Sequence, residues 1–162
     1  MQLLNSKQMS LLLKKNNLYR SELGNIYFVI LLFNNASTFI TMIDKQLFID
    51  SFKIFDREVV VEIITIFFEE YPQRFEKMDQ NMAEQNFKEL SFNAHSLKGV
   101  VSNFAAPVLF ELAKEVEKTA SALRDGNIDL DLTRKLNIYY PKMKAATAEF
   151  YTDLTELINH YN

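Results

Sequence analysis

From residue 44 onward, apolar residues recur at alternating three- and four-residue steps, the pattern of helices that bury one face. Asp44 is a capping residue type, and Leu47, Phe48, Phe52 and Phe55 follow it on a first short helix. Asp56 opens a second segment with Glu58 in its first turn, where a carboxylate suits the positive helix end. Val59, Val60, Ile63, Ile64, Phe67, Phe68 and Tyr71 give that segment a wide apolar face, which Phe75, Met78 and Met82 continue. Pro72 predicts a kink there, or the first turn of a new helix. Residues 84–86 read as a short polar connection. The next helix, about 87–104, buries Leu90, Ala94, Leu97, Val101 and Phe104. Pro107 suits the first turn of its successor, whose stripe is Leu109, Leu112, Ala113, Val116, Ala120 and Leu123. Asp125-Gly126-Asn127 is a turn, and a last helical region, about 130–161, bends at Pro141. Short connections between amphipathic helices predict an all-α, antiparallel up-and-down four-helix bundle with additional N-terminal helical segments.

Residues 1–43 follow a different pattern and divide the chain into an apolar N-terminal extension and a bundle domain at 44–162. Lys14, Lys15 and Arg20 precede an apolar run from Ile26 to Phe33, and no charge occurs from Leu23 to Ile43. That length would span a bilayer. However, Asn34, Asn35, Ser37, Thr38 and Thr41 fall in its second half, which argues against a membrane anchor. A signal peptide fits poorly as well. A helical extension docked on the bundle is the favoured reading, and a physiological start at Met42 is the other.

Composition narrows the function classes. The 162 residues are 48% apolar and 24% charged, as in ordinary globular proteins with a real core. A net charge of −3 without a basic block argues against a nucleic-acid partner. With no cysteine, disulfide and thiolate chemistry are excluded and a cytoplasmic location is allowed. There is neither a Gly-rich phosphate loop nor a kinase ATP-binding motif.

One stretch departs from the helical pattern around it. Asn93-Ala94-His95-Ser96-Leu97-Lys98-Gly99 holds one of the two histidines and one of the three glycines of the chain. Residues three and four apart share a helix face, so His95, Lys98 and Gly99 form one patch. His95 lies off the buried stripe, among Lys88, Ser91, Lys98, Gly99 and Ser102. A glycine inside a helix costs roughly 1 kcal/mol relative to alanine, and such a site commonly marks a close approach to the backbone. On the following helix, Glu117 sits at the edge of the apolar stripe, where it can face a neighbouring helix.

His95-Ser96-Leu97-Lys98-Gly99 resembles the His-x-Leu-Lys-Gly box of histidine phosphotransfer (HPt) domains, the carriers of multistep phosphorelays. The similarity extends over about residues 44–160. In that family a polar residue on the following helix orients the histidine, and Val116-Glu117 stands at the matching distance. One departure is visible: the family often has a glycine near the end of the box helix, where this chain has Ala105-Ala106. The resemblance implies a phosphocarrier and not an enzyme acting alone. It implies that His95 accepts a phosphoryl group from a receiver-domain aspartate and passes it to another. Lys98 would offset the phosphoryl charge, Glu117 would orient the imidazole, and Gly99 would give the partner access. The implied partners are receiver domains of response regulators and hybrid sensor kinases, with no cofactor of the chain's own and Mg²⁺ held by the receiver. A monomer is expected.

Elementary chemistry is consistent with this. A neutral imidazole, with an unperturbed pKa of about 6.5, is a good nucleophile near pH 7. Ser96 and Ser102 can add polar contacts, and Phe92 or Phe110 can form a docking rim. Two other classes are weighed. A helical adaptor would bind receivers without phosphotransfer. A bundle metalloprotein is disfavoured by two histidines and no Glu-x-x-His pair. His160 reads as a helix-end charge, and with Glu156 it makes a poor metal site.

Overall fold

The computed structural model describes residues 41–124 and 129–161. The expectations for residues 1–40, for the turn at Asp125-Gly126-Asn127 and for the His160 side chain lie outside the described residues. What is described is all helix, in the order α1 (Lys45–Phe52), α2 (Arg57–Ala83), α3 (Phe87–Asn103), α4 (Pro107–Leu123) and α5 (Leu130–Tyr161). Helices α2 to α5 form a closed ring in which each packs on the next and α5 returns to α2. This is the four-helix bundle, with α1 packed at one end through the rings of Phe48 and Phe52 on Phe104.

The apolar stripes explain the ring. Val60, Ile64, Phe67, Tyr71 and Met78 of α2 are buried, as are Leu90, Ala94, Leu97 and Val101 of α3. The apolar face of α2 is narrower than its sequence suggests, because Val59 is exposed and Ile63 and Phe68 are only half-buried. Neither Pro72 nor Pro141 ends its helix. Asp44 caps α1 by accepting from the Leu47 N–H at 3.0 Å. Asp56 occupies the cap position of α2 but makes no side-chain cap bond.

Burial extends upstream of Asp44. Met42 and Ile43 are fully buried. The Ile43 N–H donates to the buried Asp153 carboxylate of α5 at 3.0 Å, and the Asp44 N–H donates to the Ala105 carbonyl at 2.9 Å. At the same end, Phe104 joins three helices: its ring lies 6.1 Å from Phe48, 5.7 Å from Phe67 and 5.7 Å from Phe150. Toward the other end, the Asp79 carboxylate of α2 accepts from the Tyr140 hydroxyl at 2.8 Å and from Lys144 Nζ at 2.7 Å. Burial pushes the Asp79 carboxyl pKa up, but the hydrogen bonds from Lys144 and Tyr140 outweigh this and hold it below its ordinary value.

Both turns flanking α3 are built the same way. After α2, Gln85 takes φ 55°, with Gln85 N–H bonded to the Met82 carbonyl and Asn86 N–H to the Asn81 carbonyl. After α3, Ala105 takes φ 52°, with Ala105 N–H bonded to the Ser102 carbonyl and Ala106 N–H to the Val101 carbonyl. These paired bonds close each helix in a Schellman motif, whose left-handed position is usually glycine. At the place where the sequence lacks the family glycine, Ala105 itself adopts the left-handed conformation. Asn86 also caps α3 by accepting from the Glu89 N–H, and Pro107 occupies the first turn of α4.

The left-handed conformation costs a non-glycine residue about 1–2 kcal/mol, while glycine loses about 0.4–1 kcal/mol through the freer unfolded chain. Gln85 is exposed, so Gln85→Gly is expected to stabilise the fold by about 0.5–1 kcal/mol. Ala105 is buried, and losing its methyl costs about 0.8 kcal/mol, so Ala105→Gly is expected to be nearly neutral. Urea unfolding midpoints of the two variants check this contrast.

Candidate functional site

His95 sits at the centre of α3, on the face that the core does not use. Leu90, Ala94, Leu97 and Val101 hold the opposite face in the bundle, and the imidazole is 66% exposed. Helices α3 and α4 form the most extensive helix pair of the ring. Small buried residues on both, Ala94, Ala113 and Ala120, permit that approach. It brings Glu117 of α4 against two side chains of α3. Glu117 Oε1 lies 2.8 Å from His95 Nδ1, and Glu117 Oε2 accepts from Lys98 Nζ at 2.5 Å. The backbone is tied at the same level, because Ser91 Oγ donates to the Glu117 carbonyl at 3.4 Å.

Glu117 is only 23% exposed. Burial pushes its carboxyl pKa up, but hydrogen bonds from Lys98 and His95, together with their charges, more than offset this and hold it below the ordinary glutamate value. An ionised carboxylate can only accept, so Nδ1 carries the proton of the neutral ring. Nε2 then holds the lone pair. No described residue is hydrogen-bonded to Nε2, and the side chain is largely exposed.

Gly99 lies one turn beyond His95 and is exposed. A Cβ added there meets nothing within 4 Å among the described residues, so their packing does not require glycine at this position. Phe92, one turn before His95, is 65% exposed, whereas Phe110 is half-buried. Ser102 is exposed, and Ser96 faces α2 and accepts from Arg74 Nη1 at 3.4 Å. Lys114 pairs with Glu111, at 3.1 Å, and not with Glu117. Glu156 pairs with Lys45 at 2.9 Å. Among the described residues no three metal-ligating side chains converge, and no described helix is long and apolar enough to cross a membrane.

Sequence reasoning passed over Arg74, the bond from Ser91 to the Glu117 carbonyl and the double use of Glu117. Each depends on the register between helices, which no periodicity along one helix encodes.

The Hpt domain family model matches residues 62–156, which span α2 to most of α5 and include His95, Lys98, Gly99 and Glu117. The chain belongs to the Hpt domain family. Neither a curated protein nor a solved structure matches it. Hpt domains are phosphocarrier modules of phosphorelays, and membership gives this chain a histidine phosphotransfer role with receiver domains as the partner class. The helical bundle is the architecture expected of such a domain.

Because the Glu117 pKa is lowered on folding, the unfolded chain binds the proton more tightly. The stabilisation from this carboxylate is therefore present above the ordinary glutamate value of 4.5 and is lost as pH falls through the lower folded value. Carboxyl-carbon NMR is expected to place the Glu117 midpoint below that of exposed glutamates, and Lys98→Met is expected to raise it. A midpoint above theirs contradicts the electrostatic account.

Proposed function

We propose that His95 is the phosphoacceptor of this Hpt domain and that Nε2 is its attacking atom. The reading is supported above all by the 2.8 Å contact between His95 Nδ1 and the Glu117 carboxylate, on a ring that is otherwise open to solvent. That contact fixes the tautomer and aims the lone pair outward.

The Nε2 lone pair attacks the phosphorus of a receiver's phosphoaspartate. A P–N bond forms as the P–O bond breaks, and the aspartate leaves as a carboxylate. The ring keeps its Nδ1 proton and becomes cationic, and Glu117 stabilises that charge across the hydrogen bond. The reverse sequence passes the group to a second receiver aspartate. Phosphoryl transfer depends mainly on positioning and charge stabilisation. Lys98 supplies a cation one turn from His95, and its part-buried pair with Glu117 keeps the ammonium beside the ring, where it can offset the charge of phosphoryl oxygens. Gly99 leaves the partner's loops room beside the ring. The partners are receiver domains of hybrid sensor kinases and response regulators in the cytoplasm, and the receiver holds the Mg²⁺.

Incubation with a receiver domain phosphorylated by acetyl phosphate is expected to label the chain with acid-labile, base-stable phosphate, and His95→Gln is expected to take none. A labelled His95→Gln variant refutes the assignment. Binding without label in the unaltered chain would leave a receiver-binding adaptor. Gly99→Ala separates stability from transfer. It is expected to raise unfolding stability by about 1 kcal/mol, because the added methyl meets no atom, while transfer slows. A variant that is both more stable and equally fast would remove the access role of Gly99.

A further inference from the structure

The two flanks of His95 are not equivalent. On the α4 side, the nearby cation, Lys98, is engaged by Glu117. On the α2 side stands a cation that the phosphoacceptor assignment does not use. Arg74 reaches across from α2 to Ser96, the residue following His95, with Nη1 3.4 Å from Ser96 Oγ. Its guanidinium lies 5.4 Å from the centre of the buried Tyr71 ring. Nη2 pairs with Glu70 at 2.9 Å. Arg74 also lines an open groove between α2 and α3, whose wall includes Gln73, Lys77, Phe92 and Asn93.

Three features make this arginine suited to a partner. It is held in place, by Ser96 and by stacking on Tyr71, so little side-chain freedom is lost on binding. Its ion pair is exposed, with side-chain exposures of 38% for Arg74 and 51% for Glu70, and exposed pairs exchange readily for another anion. It is level with His95 along the bundle, beside the most exposed aromatic ring of α3, Phe92.

We infer that Arg74 is a docking residue for the receiver: its guanidinium exchanges Glu70 for an anionic group of the surface around the phosphoaspartate, and so seats the partner over the α2 flank of His95. The inference rests on the phosphocarrier reading above. Arg74 is a positioning residue and takes no part in bond making.

The test is transfer kinetics against rising concentrations of a receiver domain phosphorylated with acetyl phosphate. Arg74→Ala is expected to raise the half-saturating concentration about fivefold or more while the maximal rate stays within about twofold, and the difference is expected to shrink at high salt. Arg74→Lys is expected to recover part of the loss. Lys114→Ala, on the α4 flank, is expected to behave as the unaltered chain. An unchanged half-saturating concentration overturns the inference, as does a loss confined to the maximal rate or an Arg74→Lys variant no better than Arg74→Ala. Binding titrations of the same receiver against His95→Gln, with and without Arg74→Ala, read docking where no phosphate can be taken up. Failure of His95 as acceptor and failure of Arg74 as docking residue therefore give different results.

Discussion

The position of the histidine helix is set by the ring of Phe104. This residue closes α3, and its side chain meets aromatic rings from α1, α2 and α5. Ring pairs at these separations add to the burial energy of large apolar surfaces. They also restrict the helix to one depth and one rotation, because a packed interior deforms little. The exposed face of α3 follows from this. With Leu90, Ala94, Leu97 and Val101 turned inward, His95 and Gly99 have no alternative to solvent.

Sideways, the constraint is electrostatic. One carboxylate, Glu117, serves an imidazole and an ammonium at once. The arrangement suits a carrier, whose charge changes twice in each cycle. Under the assignment proposed above, a positive ring at His95 and a phosphoryl group both gain from neighbours of opposite sign, Glu117 for the one and Lys98 for the other. Rigid backbone supports the mobile charges: two Schellman turns bracket α3, and Ser91 ties it to the α4 main chain.

Most of the helical architecture was legible in the sequence because each helix buries a stripe. The expected span 87–104 compares with an observed Phe87–Asn103, and Asp44 makes its cap bond as its residue type suggests. Asp56 does not, although it is the same residue type. The left-handed turn at Ala105 was hidden because alanine does not announce that conformation. The pairs Arg74–Ser96, Asp79–Tyr140 and Asp153–Ile43 were illegible for one reason. Each is fixed by how far one helix slides along another, and that depends on the whole core. At the site, a motif identifies residues four apart on α3, but only the resemblance to a family linked them to Glu117, a residue of a different helix.

The carboxylate of Asp153 gives the bundle a definite beginning. It is buried, and it accepts the main-chain N–H of Ile43. A protein trimmed at Asp44, where the helical pattern starts, would remove two core side chains and leave the buried Asp153 side chain without its Ile43 donor. Any fusion joined to this domain therefore has to leave Met42 and Ile43 in place.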